Sequence, residues 1–171
     1  MSIKNIQFLI RQGIERVFTT GKKRTDFVGR ELQKMGVAHY INPGFRDPDL
    51  GVWEGMTWKE IQAQYPDLFA LYERDPMQVT FPGGESIRET HDRVIAAWQK
   101  LIRISFTSAA IIAHGCPNAM ILAHIRKPHK LEPNLKEQKI GAMNKIIVLT
   151  EDDARIEWGN RLIYTEDDPA C

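Results

Sequence analysis

The chain has 171 residues, 43% hydrophobic and 26% charged, which is enough apolar material for one packed domain and argues against disorder or a solenoid. Its formal net charge of +1, from 23 Lys and Arg against 22 Asp and Glu, provides no global field for nucleic acid or an anionic membrane, so neither is expected as a partner. No apolar run reaches the ~18 residues of a membrane helix, residues 1–11 lack the pattern of a signal peptide, and Cys116 and Cys171 make neither a disulfide framework nor a zinc spacing, so a cytoplasmic protein with reduced thiols is expected.

In chain order, residues 15–20 (ERVFTT) carry the β-branched and aromatic content of a short strand, and Gly21 breaks it before a helical stretch from about Lys22. Val28, Leu32 and Met35 recur at helical spacing, Gly36 stops that helix, and residues 37–41 predict another strand; strand, helix and strand in succession imply a parallel pair. Residues 42–55, rich in Pro, Gly and Asp, predict a long loop of the kind that carries function over a rigid scaffold. Thr57-Trp-Lys-Glu60 has the form of a capping box, so a helix begins there and ends before Pro66, followed by a helical stretch holding Leu68, Leu71 and Tyr72.

Pro82-Gly-Gly-Glu-Ser86 is a glycine turn leading into a second capping box, Ser86 with Glu89, and a helix to about Arg103 with Ile87, Val94, Ile95, Trp98, Leu101 and Ile102 on one face. Residues 109–113 (AAIIA) predict a strand buried on both faces of a parallel sheet, ending in His114-Gly115. Residues 118–125 predict a helix, 126–141 an irregular, solvated excursion, and 145–150 with 155–158 an antiparallel hairpin at a sheet edge. No repeat or linker divides the chain, so a single domain is expected.

In open α/β sheets ligands bind beyond the carboxyl ends of the strands. His114 stands there, Gly115 permits close backbone approach, and the following helix aims its positive end into the same crevice, which suits an anion. The plain alternative is a structural histidine satisfied by a backbone carbonyl. Arg24 follows the first strand in the same way and can grip phosphate bidentately; its alternative is an exposed helix residue. Asp47 and Asp49 in the loop, or Glu85 in the glycine turn, can protonate a leaving group if desolvated, although loop carboxylates more often form turns and caps. His91, His124 and His129 are spaced too irregularly for a metal, and neither a metal nor a cofactor is expected.

Together, VFTTGKKRTDFV (17–28), FRDPDLGVWEG (45–55), FPGGESIRETHDRV (81–94) and AIIAHG (110–115) resemble ordered blocks of the histidine phosphatase superfamily, phosphoglycerate-mutase-like branch, over most of residues 14–160. The resemblance implies a three-layer α/β/α fold with a mostly parallel sheet. It also implies phosphoryl transfer to the histidine of an Arg-His-Gly motif on the first strand, with a second histidine, phosphate-clamping arginines and a carboxylic acid for the leaving oxygen. Carried over by position, His114 matches the second histidine, Arg24 the arginine of the Lys/Arg-Arg-Ala block, and Glu85 the glutamate that resembles the family's acid. Asp47 is a second candidate acid, one methylene shorter than the glutamate usual four residues before the loop glycine. Met143-Asn144-Lys145 occupies the place of the family's late asparagine.

The departure is at the nucleophile. Phe8-Leu-Ile-Arg-Gln-Gly13 is either the first strand with Gln12 in place of the histidine, or the end of a helix leading into the second strand, and we prefer the second alignment. In both, no histidine precedes His39, and an amide has no basic lone pair with which to form phosphohistidine. Cys116 lacks the Cys-x5-Arg loop of cysteine phosphatases, because Leu122 stands where the arginine belongs. The expectation is a degenerate member whose residual pocket around Arg24 and His114 binds a small phosphorylated or carboxylated metabolite without efficient phosphohistidine chemistry. The rivals are an active phosphatase or mutase-like enzyme with a nonstandard nucleophile, and a non-catalytic interaction scaffold or homodimer.

Overall fold

The computed structural model describes residues 3–127, 133–135, 138–150 and 153–162. The first element is helix α1, Ile3–Arg11, which buries Ile6, Phe8 and Leu9. Gln12 N donates to Phe8 O at 3.0 Å and Gly13 turns the chain at φ +65°, so Arg11-Gln12-Gly13 closes a helix and is not a strand. This is the second of the two alignments.

Strand β1, Arg16–Thr19, helix α2, Lys23–Lys34, and strand β2, Ala38–Ile41, form a strand-helix-strand unit with parallel register from Arg16↔Ala38 to Thr19↔Ile41. Strand β3, Ala109–Ile112, pairs in parallel on the other side of β1, giving the order β2-β1-β3. All three strands therefore end on one side of the sheet, which brings Thr20, Asn42 and His114 to a common rim.

Side chains on β1 alternate between the two faces. Val17 joins α1 and α2 through Ile6, Leu9, Val28 and Leu32. Phe18 joins a larger core with Val94, Trp98, Met120 and Ile121, contributed by helices α5, Ile87–Ile102, and α6, Gly115–Arg126. The result is the expected three-layer α/β/α arrangement.

Two helices start where the capping boxes place them: α3, Trp58–Gln64, behind Thr57, and α5 behind Ser86, each with both reciprocal bonds. Helix α4, Pro66–Arg74, uses Pro66 in its first turn, where the missing N–H costs nothing. The loop before them is built of two short 3₁₀ turns, at Pro43–Phe45 and Gly51–Trp53. Its Trp53 is buried at 1% exposure against Phe81, and this contact anchors the loop.

Three expectations are corrected. Strands β4, Met143–Val148, and β5, Ala154–Arg161, pair antiparallel but form their own two-stranded sheet instead of extending the parallel one. That sheet docks through Met143 and through Trp158, whose ring meets Phe8 edge-on at 6.2 Å. Strand β3 alternates half-buried and buried residues, because it is an edge strand and not a central one. Met35 is 56% exposed, because α2 ends at Lys34 and Met35 has already left the helical stripe. Cys171 and His129 lie outside the described residues. Among those described, no helix is long and apolar enough to cross a membrane.

Candidate functional site

After β1 the chain turns at Gly21, φ +77°, a left-handed conformation that glycine adopts without strain. The turn carries Lys22 and Arg24 onto the rim of the sheet beside His114, which caps the start of α6. Arg24 Nε donates to His114 Nδ1 at 3.0 Å, and His114 Nε2 lies 3.0 Å from Thr20 Oγ1. Because Nδ1 accepts, the proton of the neutral ring is on Nε2 and is donated to Thr20. Thr20 Oγ1 then donates to Thr25 Oγ1 at 2.8 Å, and Thr25 Oγ1 donates to the Lys22 carbonyl at 2.9 Å, so the chain of hydroxyls ends on a backbone acceptor. Burial and the neighbouring charges of Arg24 and Lys22 pull the imidazole down from its ordinary 6.5 to about 4, which keeps it neutral.

Asp47 closes the cluster. Its Oδ2 accepts from Arg24 Nη2 at 2.9 Å and lies 3.5 Å from His114 Nδ1. Burial raises its pKa above the usual carboxylate value in spite of the opposing Arg24 guanidinium. Arg46, one residue earlier, donates from Nε to the Thr20 carbonyl at 3.0 Å and so adds a second guanidinium to the same rim.

Glu85 is held differently. Arg93 on α5 grips it bidentately, Nε to Oε1 at 2.9 Å and Nη2 to Oε2 at 2.7 Å, while Thr90 Oγ1 adds a bond at 2.9 Å. Although burial opposes its ionisation, these donors outweigh it and hold the carboxyl below its ordinary value. The same Arg93 donates from Nη1 to the carbonyls of Gly44, at 2.9 Å, and Arg46, at 3.2 Å, tying the 42–55 loop to α5. Glu85 N and Asp49 O bond at 2.9 Å, and Gly51 and Gly84 pack backbone to backbone, so closely that a Cβ on either would meet main-chain atoms. The glycine turn and the loop thus form one rigid wall.

The loop, the glycine turn, α3, α4 and the start of α6 enclose a cavity of about 1010 Å³. Lys22, Arg24 and Arg46 line it, as does Cys116 in the first turn of α6, a helix whose N-cap His114 makes no side-chain cap bond. A helix N-terminus with uncapped amides favours an anion. Burial, with the charge of Asp47, pushes the Cys116 thiol up to about 12, so it is no thiolate at neutral pH.

The structure therefore brings Arg24, His114 and Asp47 into mutual contact, while Glu85 lines the same cavity paired to Arg93. Sequence reasoning missed Thr20, Arg46 and Arg93. Only Arg46 left a signal, as the cation beside Asp47 in the Pro-rich loop. Asp49 caps its own turn, accepting from Gly51 N at 2.9 Å.

The family model of the histidine phosphatase superfamily (branch 1) matches residues 5–161. The chain belongs to this superfamily. Among curated relatives of this superfamily member, it is 31% identical over 119 residues to rat (Rattus norvegicus) 6-phosphofructo-2-kinase/fructose-2,6-bisphosphatase 1, covering 68% of this chain and 24% of that protein. It is 25% identical over 113 residues to phosphoserine phosphatase 1 of Hydrogenobacter thermophilus, covering 65% and 54%. The chain thus spans about a quarter to a half of the length of these relatives. A mycobacterial glucosyl-3-phosphoglycerate phosphatase solved with inorganic phosphate superposes with a TM-score of 0.78 at 18% identity, covering 94% of this chain and 83% of that one. The alpha-ribazole phosphatase of Shigella flexneri gives 0.74 at 14% identity, covering 96% and 82%. At these identities the structural likeness shows the fold.

Proposed function

We propose that this histidine phosphatase domain binds the phosphate or carboxylate of a small metabolite at the rim formed by Lys22, Arg24, Arg46 and His114, and that these residues form no phosphohistidine. The observation that carries the reading is the double engagement of the imidazole. A histidine attacks phosphorus through an unprotonated ring nitrogen with a free lone pair. In His114 the Nδ1 lone pair receives Arg24 and Nε2 holds the proton given to Thr20. The ring therefore acts as a neutral post that orients Arg24. An incoming dianion takes the place of the Asp47 carboxylate on Arg24 Nη2, with Lys22 and Arg46 supplying further charge and the start of α6 its amides.

A second reading is a hydrolase that uses an activated water, and Asp47 favours it. A carboxyl whose pKa is raised by burial, 2.9 Å from the phosphate-binding guanidinium, is placed to protonate a leaving oxygen, while the neutral His114 orders the array. The names of the relatives, all phosphatases or bisphosphatases, support phosphomonoesters as the ligand class under both readings.

Titration calorimetry with inorganic phosphate, combined with phosphate release from a panel of monophosphates, separates the readings. Binding that weakens at least about tenfold in Arg24→Ala, with no release above background, is the expected result. Release at enzymatic rates that Asp47→Asn abolishes transfers the conclusion to the hydrolase. Unaltered binding in Arg24→Ala removes both.

A further inference from the structure

Resting on the anion-site reading above, we infer that the ligand is a monoester carrying one phosphate and a flat, apolar alcohol portion, an aryl phosphate in chemical terms, whose ring lies against Trp58. The charges in the cavity are arranged for a single phosphate. Lys22, Arg24 and Arg46 belong to the rim around Thr20 and Gly21, while the remaining cation, Arg93, is consumed by Glu85. Beyond the rim the charged lining is acidic, with Glu54 and Glu89 adding to Asp49. A second phosphate on the ligand would meet these carboxylates, with no compensating cation among the described lining residues.

The uncharged part of the wall is aromatic. Trp58, the first residue of α3, is 56% exposed and stacks on Tyr72 of α4 with centroids 5.6 Å apart and planes 26° from parallel. Tyr72 is backed in turn by Trp53 at 6.3 Å and Phe81 at 6.3 Å, so one face of the Trp58 indole rests on a fixed aromatic stack. An exposed indole at the lip of a cavity, held rigid from behind, is a surface on which a planar group stacks with little loss of side-chain freedom. Trp58 and Tyr72 line the same cavity as Arg24 and Asp47, so the aromatic stack and the cationic rim face one space.

The test uses two phosphonates, whose C–P bonds cannot be hydrolysed, and one bisphosphate ester, whose titration is run beside an assay for released phosphate. Phenylphosphonate, methylphosphonate and fructose 1,6-bisphosphate are titrated calorimetrically into wild type, Trp58→Ala, Trp58→Phe and Arg24→Ala. Phenylphosphonate is expected to bind about tenfold tighter than methylphosphonate, and the bisphosphate no tighter than methylphosphonate. Trp58→Ala removes the phenyl preference and leaves methylphosphonate affinity in place, whereas Trp58→Phe retains most of the preference. Equal affinity for the two phosphonates, a preference that survives Trp58→Ala, or tighter binding of the bisphosphate overturns the aryl assignment alone. If no phosphonate binds, or if binding is unaltered in Arg24→Ala, the anion-site reading falls and the aryl assignment with it.

Discussion

Arg24 gives its Nε proton to Nδ1 of His114 across 3.0 Å, and this one bond sets the tautomer of the ring while its charge helps keep the ring neutral. A histidine whose pKa falls from 6.5 to about 4 on folding binds its proton less readily in the folded state than in the unfolded one. Its contribution to stability is therefore intact above about pH 6.5 and is lost as the pH falls from there through about 4. The full difference corresponds to ~3 kcal/mol. Urea unfolding at pH 7 and pH 4 is expected to show a steeper acid loss for wild type than for His114→Gln, in which the titrating ring is gone. Parallel losses in the two proteins would mean that burial and the neighbouring cations do not hold the ring neutral in the folded protein.

On the proposed reading, Asp47 and an incoming phosphate compete for the same nitrogen of Arg24, which now holds the Asp47 carboxylate. Replacing the carboxylate with an amide removes both the competitor and a repulsive charge while keeping a hydrogen-bond acceptor in place. Asp47→Asn is expected to bind inorganic phosphate more tightly, by about fivefold, the scale of a half-exposed ion pair. It is also expected to lose whatever phosphate release wild type shows. Calorimetry and a release assay on the same preparation read both effects. A weakened affinity would show that Asp47 organises Arg24 for the ligand instead of competing with it.

Glu85 serves as a clamp in this geometry. Its carboxylate accepts three side-chain donors, and its partner Arg93 also holds two loop carbonyls, so the expected cost of Glu85→Gln is to stability. A loss of about 1 to 2 kcal/mol in thermal or urea unfolding is anticipated, with phosphate affinity of the folded protein changed by less than about twofold. Because the folded carboxyl titrates below its ordinary value of 4.5, this contribution is present above that pH and declines as the pH falls further. A variant of full stability with abolished phosphate release would instead make Glu85 the proton donor.

The parts of this fold that the sequence reveals are those written within a few residues. The two capping boxes, the glycine stops after β1 and α2, and the Ala-rich run before His114 each carry their own local cause, and the elements start and end near them. The meeting of His114 and Arg24 is legible for the same reason, since each follows a strand and strand ends converge. The contacts that give them their roles were not legible. Thr20 and His114 are 94 residues apart and Arg93 reaches back 49 residues to Gly44, distances closed only by the parallel register and by the packing of α5. At Glu85 one glycine-turn motif serves two ends: it opens a capped helix and presents a carboxylate, and the Arg93 side chain shows which partner that carboxylate takes. The hairpin was visible as a hairpin, but alternation along two strands does not say which sheet they join. Trp58 likewise read as part of a capping box, because a cap motif says nothing about what the next side chain faces.

A second polar cluster lies beside the site and tests the packing of α2 independently of any ligand. His39 Nε2 sits 2.8 Å from Thr19 Oγ1, and Thr19 in turn donates to Asp26 at 3.3 Å, with the His39 side chain only 8% exposed. Helix α2 crosses this cluster at Gly29, where an added Cβ would come within 2.6 Å of Thr19 Cγ2 and closer still to His39 Nε2. Both neighbours are buried, and Thr19 is β-branched on a central strand, so the helix itself has to shift. Gly29→Ala is therefore expected to destabilise by about 2 kcal/mol, lowering the melting temperature by roughly 4 to 8 °C, in spite of the better helix propensity of alanine. Adding His39→Ala removes one of the two clashes and is expected to recover part of that loss. Equal or greater stability of Gly29→Ala alone would show that α2 stands farther from β1 and β2 than this packing requires.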